Sequence, residues 1–134
     1  MPHLIATALV GGALALLPAV PAQAAPGTSL RLTLTYPGND TSAAPGNGTS
    51  GTRTVTLRCG PAGGNHPKAA RACTEIDAAG GRLAHAPDDR VCTAIYAPVV
   101  AQADGHWRGR AVDFRAEYGN DCAMRSRTGT IFDF

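Results

Sequence analysis

The side chains able to do chemistry in this chain do not assemble into a catalytic set. Acyl transfer needs a nucleophile with a base in reach and an orienting group behind the base. Ser42, Ser50 and Ser126 stand in turn-like contexts, and no Gly-x-Ser-x-Gly elbow occurs. His66 precedes a proline at a helix start, His85 lies in a polar loop and His106 on a hairpin, so each reads as a surface or capping histidine rather than a base. Cys59, Cys73, Cys92 and Cys122 are an even set in a small chain, which implies two disulfides and leaves no thiolate nucleophile; four cysteines allow three connectivities, all open on spacing alone. No C-x-x-C or H-x-x-x-H spacing offers a metal site, the carboxylates are scattered, and no cofactor is implied.

One segment instead looks like something on which chemistry is done. Val91-Cys92-Thr93-Ala94-Ile95-Tyr96-Ala97-Pro98 carries a cysteine near one end, a proline at the other, and small and apolar side chains between. A serine protease could read it as a substrate, with an apolar residue, two intervening positions and then a small residue before the scissile bond. Its cysteine and apolar run alone fit a buried strand better. Trp107, the only tryptophan, stands between Gly105 and Gly109 and reads as a half-buried packing residue or as an exposed contact on a hairpin tip.

The elements that would position these residues follow from periodicity. Leu30, Leu32, Leu34 and Tyr36 alternate with Arg31, Thr33 and Thr35, a half-buried strand. Pro37 to Gly51 is rich in Gly, Asn, Ser, Thr and Pro and reads as an exposed connection, its sequons at Asn39 and Asn47 as turn chemistry. A second strand over 54–59 sets Val55, Leu57 and Cys59 on one side. Pro67 opens a helix in which Ala69, Ala70, Cys73, Ile76 and Asp77 share a face, with Asn65 as candidate cap and Gly80-Gly81 as the stop. Val99 to Ala103 reads as a strand reaching a hairpin signal at Asp104-Gly105, and Arg110 to Tyr118 answers it with Val112, Phe114 and Ala116 on one face. Thr130 to Phe134 reads as a last short strand. Strands flanking one helix without a βαβ rhythm argue antiparallel α+β.

Leu4 to Leu17 is an apolar run, short of the ~20 residues a membrane span needs. Pro18, Pro21 and Ala22-Gln23-Ala24 follow it, so 1–24 reads as a secretory signal cleaved after Ala24, although His3 is its only basic group. That leaves about 110 residues, 25–134, as one exported domain with no membrane partner after signal removal. The net charge of +2 is spread over interspersed signs, without the basic stripe that nucleic acid demands.

Several ordered motifs then resemble one family. They are Thr54-Val55-Thr56-Leu57-Arg58-Cys59 before a Gly-Pro loop, His66-Pro67 ahead of a helix containing Cys73, Gly80-Gly81, Val91-Cys92, Tyr96-Ala97-Pro98-Val99, Asp104-Gly105-His106-Trp107-Arg108-Gly109, Asn120-Asp121-Cys122-Ala123-Met124 and Ile131-Phe132-Asp133-Phe134. From about Ser29 to Phe134 the chain is similar to the Streptomyces subtilisin inhibitor family of secreted serine-protease inhibitors.

The resemblance implies a five-stranded antiparallel sheet with two helices on one face, disulfides Cys59–Cys73 and Cys92–Cys122, and a homodimer formed through the sheets. It places the reactive bond at Ala94-Ile95, with Val91, Cys92, Thr93 and Tyr96 in the protease-binding loop and Asn120 as a loop-supporting side chain. It implies no enzymatic activity and serine proteases as partners; the small Ala94 at P1 points to those of subtilisin and elastase type. Three departures stand out: Thr93 where the family often has proline, Ala94 where P1 is often Met or Lys, and a longer Pro37–Gly51 connection. A secreted carbohydrate or cell-wall binding module using Trp107 is the alternative reading. An exported structural protein or transglutaminase substrate using Gln102 ranks below it.

Overall fold

Three leucines placed on one face of a central strand organise this fold. In the computed structural model, residues 11–13, 15–21, 26–37 and 51–134 are described. β1 (Thr28–Tyr36) carries Leu30, Leu32 and Leu34, all buried, alternating with Arg31, Thr33 and Thr35. It pairs antiparallel with β2 (Gly51–Cys59), Leu32 facing Val55, and with β4 (Val99–Trp107), Leu32 facing Ala103. β3 (Gly63–Gly64) flanks β2, and β5 (Arg110–Tyr118) pairs with β4, giving five antiparallel strands in the order β3-β2-β1-β4-β5.

The two helices, α1 (Ala69–Ala78) and α2 (Asp121–Thr128), cover the leucine face. Cys73 and Ile76 from α1 and Met124 from α2 join Leu57, Val99, Ala101, Ala103, Ile131 and Phe132 in one core, where Phe132 stacks on Phe114 with centroids 5.8 Å apart. α1 has a single large apolar residue, so packing and a covalent tie must hold it. Cys59–Cys73 supplies that tie to β2, and Cys92–Cys122 ties α2 to the segment before β4. With sequence separations of 14 and 30, these loop closures are worth about 3 and 4 kcal/mol in the chain-entropy account.

Four sequence expectations need correction. The hairpin turns at Arg108-Gly109, both at positive φ (47° and 79°), as a two-residue primed turn requires. Gly105 stays inside β4 opposite Leu30, where a Cβ would collide with the Ser29 carbonyl oxygen. Residues 129–132 form turns and 133–134 no regular element, rather than a strand; Ile131 and Phe132 are adjacent and both buried, which period-two geometry forbids on a one-sided sheet. Asn65 does not cap α1: its Oδ1 accepts from the Thr56 amide, 2.7 Å, and holds the β2 end instead. On α1, Ala70 and Asp77 are exposed, while Ala72 takes the buried place beside Cys73 and Ile76. The Ala24 cleavage site, the sequons and 38–50 lie outside the described residues. Among the described residues no helix is long and apolar enough to cross a membrane.

Because Leu32 is fully buried on the middle strand, Leu32→Ala should cost about 3 kcal/mol of stability. Denaturant unfolding under non-reducing conditions, with both disulfides kept, checks this value.

Candidate functional site

Between α1 and β4 the chain runs from 82 to 98 without a ladder partner, and its tip is open to water. Val91, Ile95 and Tyr96 are 97%, 67% and 75% exposed, and Thr93 and Ala94 are exposed with them. Apolar side chains so close together in water mark an interaction surface. The buried-strand reading of Val91–Pro98 therefore fails.

The backbone beneath this tip is fastened at several points. His85 N donates to Arg127 O at 2.8 Å and Asp88 N to Ser126 O at 2.9 Å. These carbonyls lie in the last turn of α2, where the helix itself offers no donor. Asp88 also pairs with Arg90, whose guanidinium holds the Asp88 carboxyl below the usual carboxylate range. Cys92 is bonded to Cys122 in the first turn of α2, with Cα atoms 5.6 Å apart. On the far side, Ala97 N donates to Gly119 O at 2.8 Å, just before the chain enters β4.

The closest support comes from one side chain. Asn120 Nδ2 donates to Thr93 O at 3.1 Å and to Ile95 O at 2.8 Å, so a single amide spans the Ala94-Ile95 peptide. Its orientation is set from below, because Asn120 is the N-cap of α2 and its Oδ1 accepts from Ala123 N at 2.8 Å. Asp121, next along, sits in the helical first turn, where a negative charge is favoured. Its Oδ1 accepts from the Tyr36 hydroxyl at 3.0 Å, reaching across from the end of β1. Burial, followed by the charge and hydrogen bond of Asp121, pushes the Tyr36 phenol up to about 12, so it remains a proton donor in ordinary buffers.

The structure thus brings Val91, Cys92, Thr93, Ala94, Ile95, Tyr96, Asn120 and Cys122 to one end of the sheet, while Cys59 and Cys73 act elsewhere as a scaffold tie. Trp107 lies at the far end of β4. Its Nε1 donates to Asp77 Oδ1 at 2.9 Å, its ring lies against Gly81, and the Arg108 and Arg110 guanidiniums approach its face at 5.2 and 5.8 Å. A ring so occupied is a packing residue, not a stacking platform. His66 is buried rather than on the surface: Nδ1 accepts from Lys68 N and Nε2–H donates to Ile131 O, leaving no nitrogen free to serve as a base. Among the described residues no group of His, Cys, Asp and Glu could hold a metal ion. The cleft of about 490 Å³ between α1 and α2 is lined by charged side chains, among them the ion pairs Arg71–Glu75 at 3.4 Å and Arg125–Asp133 at 3.2 Å.

Residue-level reading missed α2, Gly119 O and the Tyr36–Asp121 bond. The first had a signal, Asn120-Asp121 as a cap and Gly129 as a stop, but its polar helix face hid the period. The other two arise from pairing distant segments and leave no local trace.

The family model described as subtilisin inhibitor-like matches residues 26–120. A trypsin inhibitor of Streptomyces longisporus is 39% identical, over 94% of this chain and 85% of its own length. A subtilase-type protease inhibitor of Streptomyces coelicolor is 38% identical with the same coverage. Among solved structures, that of Streptomyces caespitosus sermetstatin in complex with Bacillus licheniformis subtilisin contains a similar chain. The TM-score is 0.61 at 29% identity, covering 81% of this chain and 99% of that one.

Exchanging the Asn120 amide for a carboxylate separates its two duties. Asn120→Asp keeps the cap acceptor and removes both donors to the loop, so α2 should persist while 93–95 loosens. Each lost bond is worth about 1 kcal/mol. Limited proteolysis followed by mass spectrometry should then show the loop cut at least about tenfold faster, with a much smaller change in melting temperature.

Proposed function

The chain belongs to the subtilisin inhibitor-like family, and from that membership we propose that it is a secreted, substrate-like inhibitor of subtilisin-type serine endopeptidases with its reactive bond at Ala94-Ile95. The observation that carries this reading is the Asn120 amide bound to the carbonyls on either side of that bond, on an exposed loop tethered by Cys92–Cys122. It is a protease inhibitor and not an enzyme.

A protease binds its substrate as an extended strand and immobilises each contacting side chain at about 0.5–1.5 kcal/mol. In this loop much of that ordering is done before the enzyme arrives. When the enzyme serine attacks the Ala94 carbonyl carbon, the Ala94–Ile95 bond breaks and its histidine passes the serine proton to the Ile95 nitrogen. An ordinary leaving peptide would diffuse away. Here the Ile95 carbonyl stays on Asn120, Ala97 stays on Gly119, and Cys92 stays on Cys122. The amine remains beside the acyl-enzyme at high effective concentration, and religation outruns hydrolysis. Thr93 stiffens the loop less than proline does, and the Asn120 bond to its carbonyl offsets part of that loss.

Specificity follows from size. Ala94 carries no cation for a trypsin-type pocket and leaves a chymotrypsin-type slot unfilled, forfeiting about 1–3 kcal/mol. Subtilisin-like enzymes, and after them elastase-like ones, accept such a P1 residue, and Val91 suits an apolar S4 site. The trypsin preference in the name of the Streptomyces longisporus relative does not carry over to this chain. The signal at 1–24 and the domain at 25–134 supply the secretion part of the reading. A homodimer through the helix-free sheet face is part of it too; that face presents Arg31, Thr33, Thr54 and Gln102, and the hydroxyls of Thr33 and Thr54 already pair across the ladder at 3.2 Å.

Titrating subtilisin with the purified protein should remove activity stoichiometrically, with slow cleavage only at Ala94-Ile95. Failure to inhibit any protease that takes a small P1 residue would sink the reading. Ala94→Lys should move inhibition toward trypsin, and unchanged specificity would put the reactive bond elsewhere.

A further inference from the structure

The two loop supports nearest the Ala94-Ile95 bond, the Asn120 amide and the Cys92–Cys122 disulfide, ride on a single helical turn. Asn120 is the N-cap of α2 and Cys122 its second residue, so any rotation of that turn moves the amide and the disulfide together. α2 has only eight residues, too few to be held by its own hydrogen bonds, so contacts from elsewhere must fix its first turn. Cys92–Cys122 cannot serve as that reference, because it ends on the loop it would be steadying.

Between the two supports lies Asp121, whose Oδ1 accepts from the Tyr36 hydroxyl, 85 positions away in sequence. Tyr36 is the last residue of the central strand; its ring packs against the core, and the Arg53 guanidinium sits 5.9 Å from the ring centroid. The ring is therefore fixed to the sheet on one side and to α2 through its hydroxyl. We propose that Tyr36 is a positioning residue for the inhibitory loop, acting through Asp121 to hold Asn120 and Cys122 in register with the Ala94-Ile95 bond. The inference rests on the inhibitory reading above. The Tyr36 hydroxyl bonds to Asp121, so its effect on the loop passes through the turn. The bonds it protects, at 3.1 and 2.8 Å, sit near the optimum, and a shift of a few tenths of an ångström in the turn weakens both.

The test compares wild type, Tyr36→Phe, Asp121→Ala, the double variant and Asp121→Asn. Tyr36→Phe keeps the ring and removes only the hydroxyl. The rate of Ala94-Ile95 hydrolysis by subtilisin, and the equilibrium ratio of intact to cleaved inhibitor, are measured well below every melting temperature. Tyr36→Phe and Asp121→Ala should each speed hydrolysis about three- to tenfold and shift the ratio toward cleaved protein. The double variant should be no worse than either single one, and Asp121→Asn, whose amide oxygen still accepts, should stay within about twofold of wild type. Equal hydrolysis rates and ratios in wild type and Tyr36→Phe, or full additivity of the two single changes, would overturn the proposal. Amide hydrogen exchange at Ala97 in the free protein reports on the loop without any protease: faster exchange in Tyr36→Phe supports the proposal, and unchanged exchange overturns it. Wild-type protein that leaves subtilisin active is a different failure, that of the inhibitory reading itself.

Discussion

A side-chain amide has two donor hydrogens and one good acceptor oxygen, and in this protein Asn120 spends all three in one place. The oxygen caps α2, and the two hydrogens reach the carbonyls of Thr93 and Ile95. The helix therefore sets the plane of the amide, and the amide sets the spacing of two carbonyls that flank one exposed peptide bond. Everything else in the fold can be understood as fixing where that amide stands. β5 delivers it, α2 orients it, and Cys92–Cys122 keeps the loop within its reach.

A loop exposed at Val91, Ile95 and Tyr96 leaves apolar surface in water and gains little from burial of its own. Its order is borrowed from the scaffold. The carbonyls of Ser126 and Arg127, left over at the end of α2, accept amides of the strap at 85 and 88, and Gly119 O accepts the amide of Ala97. Groups that every helix and strand end leaves unsatisfied thus become anchors for the loop. In the cleft beside the loop anchors, Lys68 and Arg125 both meet Asp133, and the Lys68 bond holds its carboxyl below the usual range. The segment carrying Ile131 and Phe132 is in this way closed over the core.

Local signals located most of the strands because a one-sided sheet forces period-two burial. Leu30, Leu32 and Leu34, or Val112, Phe114 and Ala116, can be read without any knowledge of their neighbours. The signals failed where one residue type serves two purposes. Asp104-Gly105 has the composition of a turn, yet Gly105 is in the strand because β1 passes too close for a side chain. Ile131-Phe132 has the composition of a strand, yet both residues plug the core from a turn. Asn65 looks like a helix cap and instead braces the end of β2.

By itself the sequence determined the antiparallel α+β class, the leucine face, the absence of a catalytic set and a substrate-like segment ending in a proline. Resemblance added the disulfide pairing and the proposed place of the reactive bond. Only the tertiary structure decided that this segment is exposed rather than a buried strand, that Trp107 is packing, and that Tyr36, Asp121 and Asn120 form a line from the central strand to the loop. The physical reason is range. Periodicity records which side of an element faces the core, an interaction spread over neighbouring residues. A hydrogen bond between Tyr36 and Asp121, or between Asn120 and Thr93, exists only once separate elements have packed, and neither partner carries a mark of it beforehand.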